Sequence, residues 1–298
     1  MRPQHLYRLA ALSVLLGRAY QHLFWDAPFR ALLWDEARMR PLVEALFGYS
    51  WRDWVSSPSA HAVIQNLITG MGGFYLLAAL IVLFAERLPK KVVQSTLLLA
   101  TGLLTLLALM YWKEKFFHLG QLFEYSLQIA ALPLFLLSQN GGLPALRSRT
   151  LLIKAAIALT FICHGLYAIG VYPRPGDFVT MLMQGLWLNE GQAITALKTA
   201  GLLDFTAALL LFTPEGVSLF KRNSPWAHRL FRAALWYCII WGLLTALARV
   251  WSHFYLPFWL ESLHQWAWQT IVRLPHFFIP LALLLQQAPK EAAQTLRL

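Results

Sequence analysis

Apolar residues run through this chain in long blocks interrupted by short polar clusters. Eight blocks stand out, over residues 6–24, 62–84, 92–112, 119–137, 151–171, 193–212, 233–251 and 267–285. Each is close to the ~20 residues that a helix needs to cross about 30 Å of hydrocarbon. The pattern predicts an all-α polytopic membrane bundle of about eight transmembrane helices. The first, fourth and last blocks are the weakest. The first carries Arg18 and His22, the fourth Glu124, and the last has a tryptophan-rich approach with Pro275 and Pro280 inside it. Proline is tolerated in a membrane helix, usually with a kink, where neighbours satisfy the freed carbonyl.

Composition agrees with a bilayer environment. Of the 298 residues 58% are hydrophobic and only 13% charged, against roughly a quarter charged in soluble domains. The net charge of +11 is spread over short runs between the blocks, such as Lys90-Lys91 and Lys221-Arg222. Such runs mark the cytoplasmic side of a membrane protein rather than a nucleic-acid partner. With the N-terminus inside, Arg2, Arg8, Arg87, Arg147, Lys154, Arg229, Lys290 and Arg297 fall in or beside short cytoplasmic segments. The longer outer segments are poorer in lysine and arginine for their length, although Arg174, Arg249 and Arg273 are assigned to them. The expectation is a multi-pass protein of the cell (inner) membrane with both termini cytoplasmic. The basic, then apolar, N-terminus lacks a small-x-small cleavage site, so it is expected to be a retained first helix. Cys163 and Cys238 both lie in apolar blocks, which excludes a disulfide framework and a CxxC site.

On this topology the long connections 25–61, 173–192 and 252–266 all face outward. The first mixes Trp25, Trp34, Trp51 and Trp54 with Asp26, Asp35, Glu36, Glu44 and Asp53. Aromatic, amphipathic segments of this kind lie in the interface plane. They form either an aromatic belt or a cap over an outward-facing site.

The chain also reads as one unit used twice, over 1–140 and 141–298. His22, its long outer loop and the helix around Gly70-Met71-Gly72-Gly73-Phe74-Tyr75 are echoed by His164, its outer loop and Ala200-Gly201-Leu202-Leu203-Asp204. Each then continues with a basic turn, a third helix, an aromatic turn and a proline-containing fourth helix. Four helices per unit give both units one orientation, hence a pseudo-two-fold axis along the membrane normal. The second half, 159–213, resembles the DoxX-like membrane proteins, in which a His-Gly lies near the outer end of helix one. A Pro/Gly outer loop and a Gly-x-x-acid in helix two follow. The matching residues are His164-Gly165, Pro173-Arg174-Pro175-Gly176, and Gly201 with Asp204. The first half departs from that pattern, with Leu23 after His22 and Tyr75 in place of Asp204. The resemblance implies a four-helix membrane unit, linked in some members to quinone-coupled oxidation of sulfur compounds.

Ionisable groups at membrane depth need partners or a function. Arg18 and His22 share a helix face, and Glu124 is the expected partner of Arg18, on one polar stripe with Gln121 and Gln128. That pair fixes helix register or lines a polar binding pocket, to which His118 also belongs. His164 and Asp204 are the candidate catalytic pair, expected to share a pocket under the loop 173–176, with Gly165 and Gly201 allowing the close approach. A histidine titrating near neutrality and a buried carboxylate suit proton exchange with a quinone. Haem is disfavoured, because His22, His118, His164 and His253 are dispersed without CxxCH. No metal, nucleotide or serine-hydrolase motif is present. The sequence therefore predicts a quinone-linked membrane redox component with a pocket toward the outer leaflet. Two alternatives stay open: a transporter or small-molecule/lipid-binding protein, and a non-catalytic accessory subunit with membrane partners. Whether the chain is an enzyme is left undecided.

Overall fold

The computed structural model describes residues 2–139, 147–218 and 224–295. The division between 140 and 141, and Lys221, Arg222 and Arg297, lie outside the described residues. The described chain is helical throughout, without strands. The first half contains α1 (Pro3–Phe24), α2 (Phe29–Leu33), α3 (Glu36–Phe47), α4 (Trp51–Ser56), α5 (Pro58–Leu83), α6 (Lys90–Glu114), α7 (Leu119–Glu124) and α8 (Ser126–Gln139). The second contains α9 (Arg147–Ile169), α10 (Gly176–Leu186), α11 (Glu190–Leu210), α12 (Thr213–Ser218), α13 (Pro225–His253), α14 (Trp259–Ile271) and α15 (Pro275–Thr295).

Local chemistry sets the ends. Proline opens α1, α5 and α13, where its missing N–H is not needed. Ser57 caps α5 by accepting from the Ala60 N–H, and Asn189 with Gln192 forms a reciprocal capping box on α11. The fourth apolar block is divided at Tyr125 into α7 and α8. The last is divided at 272–274, with Pro275 opening α15. Phe116 and Phe117, both left-handed at φ 52° and 59°, reverse the chain between α6 and α7.

Among the described residues seven stretches are long and apolar enough to cross a membrane: Pro58–Leu83, Lys90–Glu114, Leu119–Gln139, Arg149–Ile169, Glu190–Leu210, Pro225–His253 and Leu256–Gln287. This is a multi-pass membrane architecture. The expected eighth, α1, has the length but not the apolarity, and its position explains why. It packs against α5, α8, α14 and α15. Leu6, Tyr7, Ala10, Ala11, Val14 and Leu15 are each no more than 1% exposed. A helix wrapped by other helices meets little lipid, so it can hold polar residues that a lipid-facing helix cannot. Peripheral α5, α6 and α11 have only 33% of their apolar windows buried. They present Leu76, Leu77, Leu98, Leu99, Leu202 and Leu209 outward, as a bilayer-facing surface should.

Inside the bundle α9 packs against α11, α7, α8 and α15, α6 against α7 and α8, and α13 against α14 and α15. The short helices α2, α3 and α4 link the end of α1 to the start of α5, and α10 links the end of α9 to the start of α11; the end of the bundle that holds these connections is here termed the capped end. There α2 touches α5 and α6, and α10 touches α11 and α13.

Candidate site at the capped end

Two buried polar clusters lie within the first turns below the cap. The first is built around Arg18, 2% exposed on α1. Its Nη1 donates to Gln21 Oε1 and its Nη2 to Gln128 Oε1, both at 2.6 Å. The guanidinium carbon lies 5.8 Å from the Tyr111 ring centroid and 5.2 Å from that of Tyr125. Gln21 in turn donates to the Tyr111 hydroxyl at 2.6 Å and to the Asp26 carbonyl at 3.0 Å. The expected Arg18–Glu124 pair is absent. Glu124 ends α7 and Gln128 belongs to α8, so the break at Tyr125 destroys the single stripe that continuous helical spacing implied. Gln128 turns to α1, while Glu124 turns to α9.

Glu124 Oε1 lies 3.3 Å from His164 Nε2, with the two side chains 14% and 20% exposed. His276 of α15 stacks on His164, ring centroids 5.5 Å apart and planes 24° apart. The sequence did not single out His276. It is 3% exposed, and its Nδ1 lies 2.6 Å from the Arg273 carbonyl, leaving Nε2 buried without a partner. A carbonyl can only accept, so Nδ1 carries the proton and Nε2 is a free acceptor in the neutral ring. Arg249 and Arg273, placed in outer segments by the sequence reading, stand here as well, and both act electrostatically on Glu124. The usable signal was Ala248-Arg249-Val250, a cation inside an apolar run. Gly242 makes the α13–α15 contact close, since a Cβ there would sit 2.5 Å from the His276 carbonyl oxygen.

Asp204 is 2% exposed and accepts from the Tyr237 hydroxyl at 2.8 Å. The α9 and α11 backbones meet at Gly165 and Gly201. A Cβ on either would lie 3.0 Å from the other's carbonyl oxygen, so any larger residue separates the helices. No hydrogen bond or ion pair joins His164 to Asp204. His164 faces α7 and α15, whereas Asp204 faces α13. The loop after α9 folds back, with Arg174 Nε donating to the Ala168 carbonyl at 3.1 Å.

The remaining candidates lie outside the Glu124–His164–His276 contact. His22 is 0% exposed. Its Nδ1 bonds the Arg18 carbonyl at 2.7 Å, its Nε2 is buried without a partner as in His276, and its ring sits edge-on to Tyr75 at 5.2 Å. His118 stacks on Tyr172 at 4.7 Å, and Gln121 is buried with its N–H on the His118 carbonyl at 2.9 Å. No group of three or more metal-ligating side chains occurs among the described residues. Outside the membrane helices, Asp35 is held below the usual carboxylate range by hydrogen bonds from Lys113 and Arg38. No family model, curated protein or solved structure matches this chain.

Proposed function

We propose that this protein is a two-unit, DoxX-like membrane protein that binds a small molecule at the capped end, around Glu124, His164 and His276, and exchanges a proton with it. The duplication is supported by the packing. Matching α1, α5, α6, α7 and α8 to α9, α11, α13, α14 and α15 turns these helix contacts, apart from α7 on α8, into other observed ones. Thus α1 on α14 and α15 corresponds to α9 on α7 and α8.

The observation that carries the function is the Glu124–His164 contact with His276 stacked behind it. A carboxylate beside an imidazole can hold a proton on either partner, and His276 Nε2 offers a second acceptor. The sequence resemblance points to a quinone, whose two-electron chemistry is coupled to proton transfer. The buried Nε2 acceptor of His276 fits the hydroxyl of its reduced form, and this supports a redox reading as a second choice. The electrons would have to come from a partner of this chain. The small-molecule-binding reading is preferred because it needs only groups that this chain supplies.

The test is purification in uncharged detergent, organic extraction and mass spectrometry of whatever remains bound. A molecule retained by the wild type and lost from His164→Ala and His276→Ala supports the reading. Identical extracts from all three, with correctly folded variants, overturn it. A quinone in the wild-type extract alone favours the redox form.

A further inference from the structure

Two guanidinium groups stand at this site without a carboxylate of their own. Arg249 is 8% exposed, and its Nη1 reaches only the Met181 sulfur, at 3.5 Å, while its Nε has no partner. Thioether sulfur is a weak acceptor. Arg273 donates from Nη1 to the Gln269 carbonyl at 3.0 Å and makes no ion pair among the described residues. The two carry like charges, Arg249 near the end of α13 and Arg273 between α14 and α15, which both pack on α13. Arg18 adds a third positive charge acting on Arg273. Against them stand Glu124, engaged by His164, and Asp177 at the start of α10. Arginine does not escape a buried position by losing its proton, and an unpaired charge at membrane depth is costly. The arrangement lacks an anion.

We propose that Arg249 and Arg273 hold the anionic headgroup of a membrane amphiphile, a phosphate or carboxylate whose tail stays in the bilayer. This rests on the pocket proposed above and names the class of its ligand. Both arginines lie within membrane-spanning stretches, where a free ion would have to shed its water. The neighbouring surface is apolar: Leu244, Leu247 and Trp251 on α13 and Leu186 and Trp187 on α10 are between 46% and 85% exposed. Trp251 Nε1 fastens α13 to the Gly185 carbonyl of α10 at 3.0 Å. An acyl tail therefore has an apolar wall beside the charged head.

The experiment measures thermal stability and native-mass retention of the purified full chain with phosphatidylglycerol, phosphatidylcholine or inorganic phosphate. Phosphatidylglycerol should raise Tm and stay bound, whereas the other two should not. Arg249→Gln should weaken its binding by about tenfold or more, as expected for a lost charge-assisted contact, with Arg249→Lys in between. If Arg249→Gln does not fold, the comparison of wild type with Arg249→Lys and Arg273→Gln decides. Protection by inorganic phosphate equal to that by phosphatidylglycerol overturns the amphiphile, and binding indifferent to both arginines overturns the site. An uncharged molecule retained in a His164-dependent way would overturn this inference and leave the pocket standing. Phosphatidylglycerol binding with no dependence on His164 or His276 would do the reverse.

Discussion

Arg18 and Arg249 are both buried arginines near the capped end of one bundle, and they are accommodated in different ways. Arg18 has two short side-chain hydrogen bonds from its Nη atoms and two tyrosine rings around its plane. Arg249 has one long contact to a sulfur from its Nη1, and the buried Nε of each arginine is unbonded. A charge whose two terminal nitrogens are both bonded to side chains of the bundle holds helices together. One whose environment is incomplete is either a defect or one half of a recognition event. The same contrast separates Gln128, committed to Arg18, from His276, whose Nε2 bonds nothing. The two buried clusters therefore have different duties, and substitutions should divide along that line.

The largest effect is expected at the Arg18 cluster. Gln128→Leu removes the acceptor of a buried guanidinium that cannot be neutralised, and should cost about 3 kcal/mol in reversible unfolding. Unchanged stability would mean that Arg18 finds its partner elsewhere. Next comes the helix contact below the second cluster. Gly201→Leu drives a side chain into the Gly165 carbonyl and should cost about 2 kcal/mol by overpacking. Gly73→Leu, where a Cβ meets nothing within 4 Å, should cost far less. Equal losses at both positions would remove the argument for a tight α9–α11 contact.

The smallest effect should lie outside the membrane helices, at Asp35, which joins α3 to Lys113 at the end of α6. Its carboxyl is held below the ordinary range by bonds from Lys113 and Arg38. The stabilisation is therefore present at neutral pH, and it is lost as pH falls through the lowered folded value. Asp35→Asn should flatten the acid side of the Tm–pH curve slightly. It should leave both buried clusters unaffected, which ligand retention at neutral pH would check.

Much of this architecture was legible in the apolar blocks. The helices, their order and the polar residues worth watching follow from composition and spacing. The partners did not, for an identifiable reason. Gln121, Glu124 and Gln128 fall on one stripe only if the helix is continuous, and nothing in their spacing reveals the break at Tyr125. That break sends Glu124 to His164 and leaves Arg18 with glutamines. Arg249 and Arg273 were placed in outer segments because basic residues near helix ends read as loop signals. His276 was overlooked because it follows Pro275 in a block already judged weak. In each case the missing information was tertiary: which helix a given face meets.

The central claim is that Arg18 serves the fold and Arg249 serves a ligand. It is tested most directly by unfolding Arg18→Gln and Arg249→Gln side by side in uncharged, lipid-depleted detergent. Arg18→Gln should lose about 2 kcal/mol, because its glutamine and tyrosine partners are left unsatisfied. Arg249→Gln should match or exceed the wild type, because it removes a cation that carries the same charge as Arg273 and is unpaired in the ligand-free protein. Equal destabilisation of both variants would contradict the account and make Arg249 a structural residue like Arg18.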